Sequence, residues 1–421
     1  MSSPAPAFRS TFLRDFAARG AYYDCTDRDG LDARLEKGQV TAYIGFDCTA
    51  SSLHVGNLVQ IMTLRRLQQA GHRPIVLMGG GTTKIGDPSG RDEVRQLLTP
   101  AQIEENKRSI LGSFSRFLKL GDGPSDALVV DNAEWLDELS YVPFLREIGR
   151  HFSVNRMLTM DSVRLRLERD QPLSFLEFNY MIVQAYDFVE LFRRYGCLLQ
   201  CGGSDQWGNI VSGIDLARRT NDAELFGLTS PLIATASGAK MGKTAAGAVW
   251  LNADRRSPYD YWQFWRNSED ADVGRFLRLF TDLPEAEIVR LEQLKGAELN
   301  EAKKILATEA TSLCHGPEAA HEAAETARRT FEEGTIAAGL PTYEISREKL
   351  APGMPLTNLA HAAGLTSSAS EARRSIEGGG LRINDVPVKD VRATVDLTHL
   401  TESGAIKLSL GRKKHVLVKP V

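Results

Sequence analysis

Five cysteines in 421 residues are few, and their placement excludes more than their number. Cys25, Cys48, Cys197, Cys201 and Cys314 are odd in count and contain no C-x-x-C pair, so neither a disulfide framework nor a zinc site follows. The expectation is buried, reduced thiols in a cytosolic protein, with no metal site. No apolar run of about 18 residues is present, which leaves no candidate transmembrane helix and no membrane partner. The first twenty residues, "MSSPAPAFRSTFLRDFAARG", lack the apolar core of a secretory signal, and Asp15 argues against a transit peptide. Internal repeats are absent as well.

What is present is ordinary in bulk and uneven in distribution. Apolar residues make up 42% and charged residues 25%, the composition of a globular chain long enough for two or three domains. From residue 351 onward there are 10 Lys and Arg against 6 Asp and Glu, a net of +4. The whole chain carries −3, so the first 350 residues carry −7. A basic tail on an acidic body points to a polyanionic partner for the tail.

The first half alternates strand-like runs ("TAYIGF", "RPIVLMGG", "ALVVD", "CLLQCGG") with helix-like ones (Leu58 to Ala70, Ser174 to Tyr195, Gln206 to Thr220). That alternation predicts a parallel sheet covered by helices, with ligands at the carboxyl ends of the strands. From about Ser257 the pattern is helical up to about Gly334, and "PYDYWQFWRN" opens with Pro258 at a first helical position. "GLPTYEISREKLAPGMP" reads as a linker and the remainder as a small α/β unit.

Five stretches carry candidate chemistry. "HVGN" places His54 and Asn57 on one face of a helix start, where free N–H groups suit phosphate, and Gly56 lets a ligand approach the backbone. Alone, it reads as a capped turn with Ser51 or Ser52 as the cap. "KMGKT" holds Lys240 and Lys243 on a glycine loop; it is not a Walker loop, because Ser237 stands where that pattern needs glycine and a strand-like run follows. The alternative for it is a solvated turn. In "FNYMIVQAYDFVELF", Tyr180, Gln184 and Asp187 fall on one helical face among apolar neighbours, as either a structural polar network or a ligand site. "GGSDQWGN" (Gly202 to Asn209) and "IGDPSGRDEVR" (Ile85 to Arg95) each follow a strand, with capped or solvated turns as the bland alternatives.

Together these stretches resemble the bacterial-type tyrosyl-tRNA synthetases, a class I aminoacyl-tRNA synthetase family. "HVGN" is similar to the HIGH signature and "KMGKT" to the KMSKS signature; "YIGFDCTASSLHVGN", "GDPSG", "QAYDF" and "GGSDQWGN" resemble the segments around them, in order, over nearly the whole chain. "SEARRSIEGGGLRIND" is similar to an RNA-binding module shared with a small-subunit ribosomal protein. The implied fold class is α/β. A Rossmann-like catalytic domain with a dimer-interface insertion (1–230) precedes a signature-loop and helical tRNA domain (231–335). A linker (336–352) and an RNA-binding domain (353–421) complete it.

The resemblance implies a role for each position. Tyr43 and Asp187 would hold the tyrosine hydroxyl; Asp87, Tyr180 and Gln184 its ammonium; Gln206 and the backbone near Gly45 and Asp47 its body and carboxylate. ATP would lie along Gly45, Asp47, Gly56 and Gly203, with Thr49, His54 and Asn57 at the phosphates and Asp205 on the ribose. Lys240, Lys243 and Thr244 would close over the leaving pyrophosphate, with Arg91 and Arg95 nearby. Arg373, Arg374 and Arg382 would bind RNA. The implied partners are L-tyrosine, ATP with Mg2+, tRNA(Tyr) and a second copy of the chain. That second copy would dock through the region that includes "HFSVNRMLTMDSVRLRL", in a cytoplasmic homodimer. One departure stands out: Asn57 occupies the place of the signature's second histidine, and its amide donates a hydrogen bond but carries no charge. The rival readings are a tryptophanyl-tRNA synthetase, disfavoured by Asp187 beside Tyr43, and a degenerate RNA-binding relative, disfavoured by the retained His54 and lysines.

Overall fold

The computed structural model describes residues 8–89, 97–238, 241–244, 247–331, 340–401, 404–411 and 414–421. The chain forms two compact units. One comprises Met1–Gly242, Trp250–Arg255 and Glu269–Ala302; the other comprises Lys243–Val249, Arg256–Ser268 and Lys303–Val421. The helical run after Ser257 is therefore shared between the units.

The first unit is built on six strands: β1 (Asp24–Cys25), β2 (Thr41–Asp47), β3 (Arg73–Gly79), β4 (Leu128–Asp131), β5 (Cys197–Gly203) and β6 (Phe226–Ser230), in the order β1-β6-β5-β2-β3-β4. All neighbours are parallel except the β1–β6 pair. Strands covered on both faces have no room for alternation, and β3 and β5 are accordingly near-continuous apolar runs. The chain leaves β2 towards β3 and β4 on one side, and β5 and β6 fill the other. The reversal falls between β2 and β5, the place where open α/β sheets bind ligands. Two expectations shift here. The short β1 and the glycine-containing β6 carried no strand signal. The helix expected from Ser174 is two: Ser174 caps Phe175–Phe178 in a capping box with Glu177, and a longer helix, Tyr180–Tyr195, restarts after Asn179. It stops at Gly196, whose left-handed conformation (φ 60°) returns its N–H to the carbonyls of Leu191 and Phe192.

In the second unit, β7 (Lys243–Thr244) and β8 (Gly247–Ala248) form a hairpin. The carboxyl-terminal sheet pairs β9 (Thr342–Ile345), β11 (Leu381–Ile383), β12 (Val386–Pro387), β14 (Ile406–Leu410) and β15 (Lys414–Pro420) in the order β12-β11-β14-β15-β9; β10 (Met354–Pro355) pairs with β13 (Thr394–Val395). Ile345, Leu350, Leu356, Leu359, Ile376, Leu381, Ile383 and Val418 share one core. The stretch read as a linker is thus corrected. Part of it is an edge strand, β9, parallel to β15, and Leu350 is fully buried. Its Pro and Gly residues flank that strand rather than replace it.

Candidate active site

A cavity of about 260 Å³ opens at the carboxyl ends of β2, β3 and β5. Tyr43, Gly45, Asp47, Gly56, Asn57, Asp87, Tyr180, Gln184, Asp187, Gly203, Asp205 and Gln206 all line it. Twelve of the expected positions thus meet in one concavity.

Its most buried wall is polar. Tyr43 and Asp187 are each 1% exposed. Asp187 accepts from Asn132 Nδ2 at 2.9 Å and from Trp135 Nε1 at 2.8 Å. Burial pushes its carboxyl up to about 8; the two donors oppose that, and the carboxylates of Asp47 and Asp131 add to it. Burial, then the neighbouring Asp187, also pushes the Tyr43 phenol well above its usual value, so it stays protonated. The Tyr43 hydroxyl is buried with no hydrogen-bond partner among the described residues. Such an orphan costs about 1–3 kcal/mol, a cost that a polar ligand group would remove.

The polar row on helix Tyr180–Tyr195 is tied into two networks. Tyr180 Oη donates to Asp47 Oδ2 at 3.2 Å, and Thr82 Oγ1 donates to Asp47 Oδ1 at 2.8 Å. Gln206 Nε2 donates to Asp87 Oδ2 at 2.9 Å, and Gln184 Nε2 to Gln206 Oε1 at 3.2 Å. Asn209 Nδ2 bridges Gln184 Oε1 and Gln206 Oε1 at 2.9 and 3.0 Å. Two acids (Asp47 and Asp87), three amides (Gln184, Gln206 and Asn209), a phenol and the Thr82 hydroxyl are therefore held in place by one another.

"HVGN" forms a 3-10 turn, Val55–Asn57, leading into helix Leu58–Gln69. The cap is His54 itself, not Ser51 or Ser52: its Nδ1 accepts from Gly56 N at 3.0 Å, and Asn57 Oδ1 accepts from His54 N at 3.1 Å. An accepting Nδ1 places the proton of the neutral ring on Nε2. The capping role and a donor role are thus compatible, on opposite nitrogens. The glycine of "KMGKT" is seated on this turn. Gly242 has φ +92°, and a Cβ there would lie 2.7 Å from Gly56 N and 2.8 Å from His54 Nδ1. On the other flank Leu251 N donates to Leu53 O at 2.9 Å. Thr49 is half-buried in the turn after β2. Arg91, Arg95 and Lys240 lie outside the described residues, as do the side chains of Lys243 and Thr244.

Sequence reasoning missed Asn132, Trp135, Gln60 and Gln200. Gln60 and Gln200 line the cavity with buried amide oxygens that lack hydrogen-bond partners among the described residues. Asn132 directly follows the end of β4 and Trp135 lies four residues past it, so the strand-end rule marks that segment; Gln200 is the one amide in "CLLQC". In the carboxyl-terminal domain Arg373 and Arg374 are exposed on helix Ala369–Glu377, and Arg382 is half-buried on β11. The glycine run joins the two, with Gly380 N donating to Ser375 O at 2.8 Å.

Residues 35–332 match the profile of class I tRNA synthetases (W and Y), and residues 354–399 match the S4 domain. The chain is 63% identical over 414 residues to a tyrosine--tRNA ligase of Bradyrhizobium diazoefficiens, covering 98% of this chain and 99% of that one. It is 64% identical over 411 residues to that of Rhodospirillum rubrum, covering 98% of each. The chain belongs to the tyrosyl-tRNA synthetase family. A C-terminally truncated mitochondrial tyrosyl-tRNA synthetase of Aspergillus nidulans superposes with a TM-score of 0.69 at 29% identity, over 77% of this chain and 95% of that one. A tryptophanyl-tRNA synthetase of Encephalitozoon cuniculi superposes at 0.55 but is 13% identical, over 73% of this chain and 87% of that one, which shows a shared fold and no more. This chain has a tyrosine–aspartate pair, Tyr43 and Asp187, in the cavity's most buried wall.

Proposed function

We propose that the chain is an ATP-dependent tyrosine--tRNA ligase, and that Tyr43 and Asp187 read the tyrosine hydroxyl. The buried, partnerless Tyr43 hydroxyl beside Asp187 carries this reading. Asp87, Tyr180 and Gln184 take the ammonium, and Gln206 with the backbone of Gly45 and Asp47 takes the rest of the amino acid. ATP lies along Gly56 and Gly203, its ribose on Asp205 and its phosphates at Thr49, His54 Nε2 and Asn57. Lys240, Lys243, Thr244, Arg91 and Arg95 complete the phosphate side.

The chemistry asks little of any base. The tyrosine carboxylate is already a nucleophile; it attacks the α-phosphate, a new C–O–P linkage forms, and pyrophosphate leaves with the bond's electron pair. A ribose hydroxyl of the terminal tRNA adenosine then attacks the carbonyl, taking the tyrosyl group and releasing AMP. Rate comes from positioning and from donors aimed at growing phosphate charge. Mg2+ would accompany ATP and offset charge on its phosphates.

The same reading makes the chain a cytoplasmic homodimer. Tyr141, Val142, Val154, Leu158 and Phe175, in and around the expected interface segment, are apolar and exposed, as on a surface that a second copy covers. No helix among the described residues is long and apolar enough to cross a membrane. On this reading residues 231–335 serve the tRNA side, and the RNA-binding domain expected at 353–421 takes in β9 and Leu350 as well.

A pH dependence follows. The ionised Asp187 is the better acceptor for a phenol, and its charged fraction grows as pH passes about 8. The kcat/KM for tyrosine, which reports the free enzyme, rises through that pH and then levels. Asp187→Asn flattens the rise; a parent profile already flat there shows that this proton does not govern binding.

The carboxyl-terminal domain supplies the functional test. Its basic face binds phosphates in a salt-dependent way, since counterions are released. A cut after residue 331 removes β9 together with its partner β15, whereas a cut near Ala351 strands β9 unpaired. The shorter protein retains tyrosine-dependent pyrophosphate exchange and loses most tRNA charging, chiefly through weaker tRNA binding. Equal charging by both proteins at matched salt shows that the domain has another task.

A further inference from the structure

We infer that Arg194, on the surface side of helix Tyr180–Tyr195, is a positioning residue for tyrosine recognition that acts through the indole of Trp135. The inference rests on the proposed role of Asp187.

Trp135 is 3% exposed and stands between two charges. Its Nε1–H donates to Asp187 Oδ1 at 2.8 Å, and the guanidinium carbon of Arg194 lies 5.1 Å from its ring centroid. A cation against an indole face is attracted to the ring quadrupole and draws electron density from the ring, which strengthens the N–H as a donor. The same contact fixes the ring plane, so the N–H keeps its aim at the carboxylate. Arg194 is itself fixed: its Nε donates to Glu190 Oε2 at 2.9 Å, and Arg193 Nη1 donates to Glu190 Oε1 at 3.1 Å. Glu190 is one helical turn before Arg194 and its side chain is 10% exposed. The sequence Glu190, Arg194, Trp135, Asp187 runs from the helix surface to the carboxylate that faces Tyr43. No described contact places Arg194 on the cavity itself, so its influence passes through the ring.

The test compares tyrosine and phenylalanine in pyrophosphate exchange with the full chain. Arg194→Met lowers the ratio of kcat/KM for tyrosine over phenylalanine by about two- to fivefold, the size of a partly exposed cation–π contact. The loss appears in KM for tyrosine, with KM for ATP unchanged. Arg194→Lys keeps a cation over the ring and retains most of the ratio. In a Trp135→Phe background, adding Arg194→Met changes nothing further. An unchanged ratio in Arg194→Met, an equal fall in Arg194→Lys, or the same fall in the Trp135→Phe background each overturns the inference. Asp187→Asn run alongside separates the two readings. If it leaves the preference intact, the hydroxyl pocket lies elsewhere and both readings fall. If it removes the preference while Arg194→Met does not, only the role of Arg194 falls.

Discussion

Asp187→Ala largely abolishes tyrosine activation, and Tyr43→Phe narrows the preference for tyrosine over phenylalanine. Both side chains are buried at the cavity, and the Tyr43 hydroxyl has no hydrogen-bond partner among the described residues. A bound phenol satisfies them; a bound phenylalanine ring leaves an acceptor and a hydroxyl unpaired in a dry site, and that asymmetry is what discriminates. Its size, about 10⁵ against phenylalanine, is the one established for tyrosyl-tRNA synthetases as a class; the geometry here supplies the cause and not the number. Removing Asp187 also orphans the donors Asn132 and Trp135, which destabilises the site whatever the substrate. Asp187→Asn keeps the shape and isolates the change in polarity. Steady-state exchange with both amino acids measures the outcome, and variants that discriminate like the parent place the hydroxyl pocket elsewhere.

His54→Asn separates the two nitrogens of the signature histidine. Asparagine is a good N-cap, so its side-chain oxygen takes over the bond from Gly56 N that Nδ1 now accepts. What it lacks is the distal Nε2–H. If that proton meets phosphate charge that grows in the transition state, its loss costs about 10²–10³ in the rate of adenylate formation. Tyrosine affinity, which the proposed reading assigns to the wall around Tyr43 and Asp187, stays as it was. Pre-steady-state adenylate formation distinguishes the outcomes: a preserved rate assigns His54 to the turn alone, and a rate lost together with tyrosine affinity indicates a collapsed site. Asn57, with its Oδ1 occupied by the His54 N–H, offers only its NH2 end to a ligand, so the neutral amide still serves as a donor.

Much of this site was legible because its residues obey local rules. Apolar runs that cover both faces of a strand announced β2, β3 and β5, and helical spacing put Tyr180, Gln184 and Asp187 on one face. The unread parts depend on contacts distant in the chain. β9 is four residues whose exposure alternates weakly, and it becomes a strand by pairing with β15, far along the chain. β1 is two residues long and exists through its pairing with β6. The hydrogen bonds from Asn132 and Trp135 to Asp187 join the end of β4 to a helix distant in sequence. For "HVGN" the sequence poses a turn capped by Ser51 or Ser52 and a phosphate site as alternatives; in the folded chain the cap is His54 through Nδ1, a contact the sequence did not announce.

The measurement that bears most directly on the proposed activity is ATP–pyrophosphate exchange by the full chain with tyrosine, tryptophan and phenylalanine in turn. Robust exchange with tyrosine, and exchange near background with the other two, is the expected result. Exchange that is fastest with tryptophan, or that does not depend on any of the three, contradicts it.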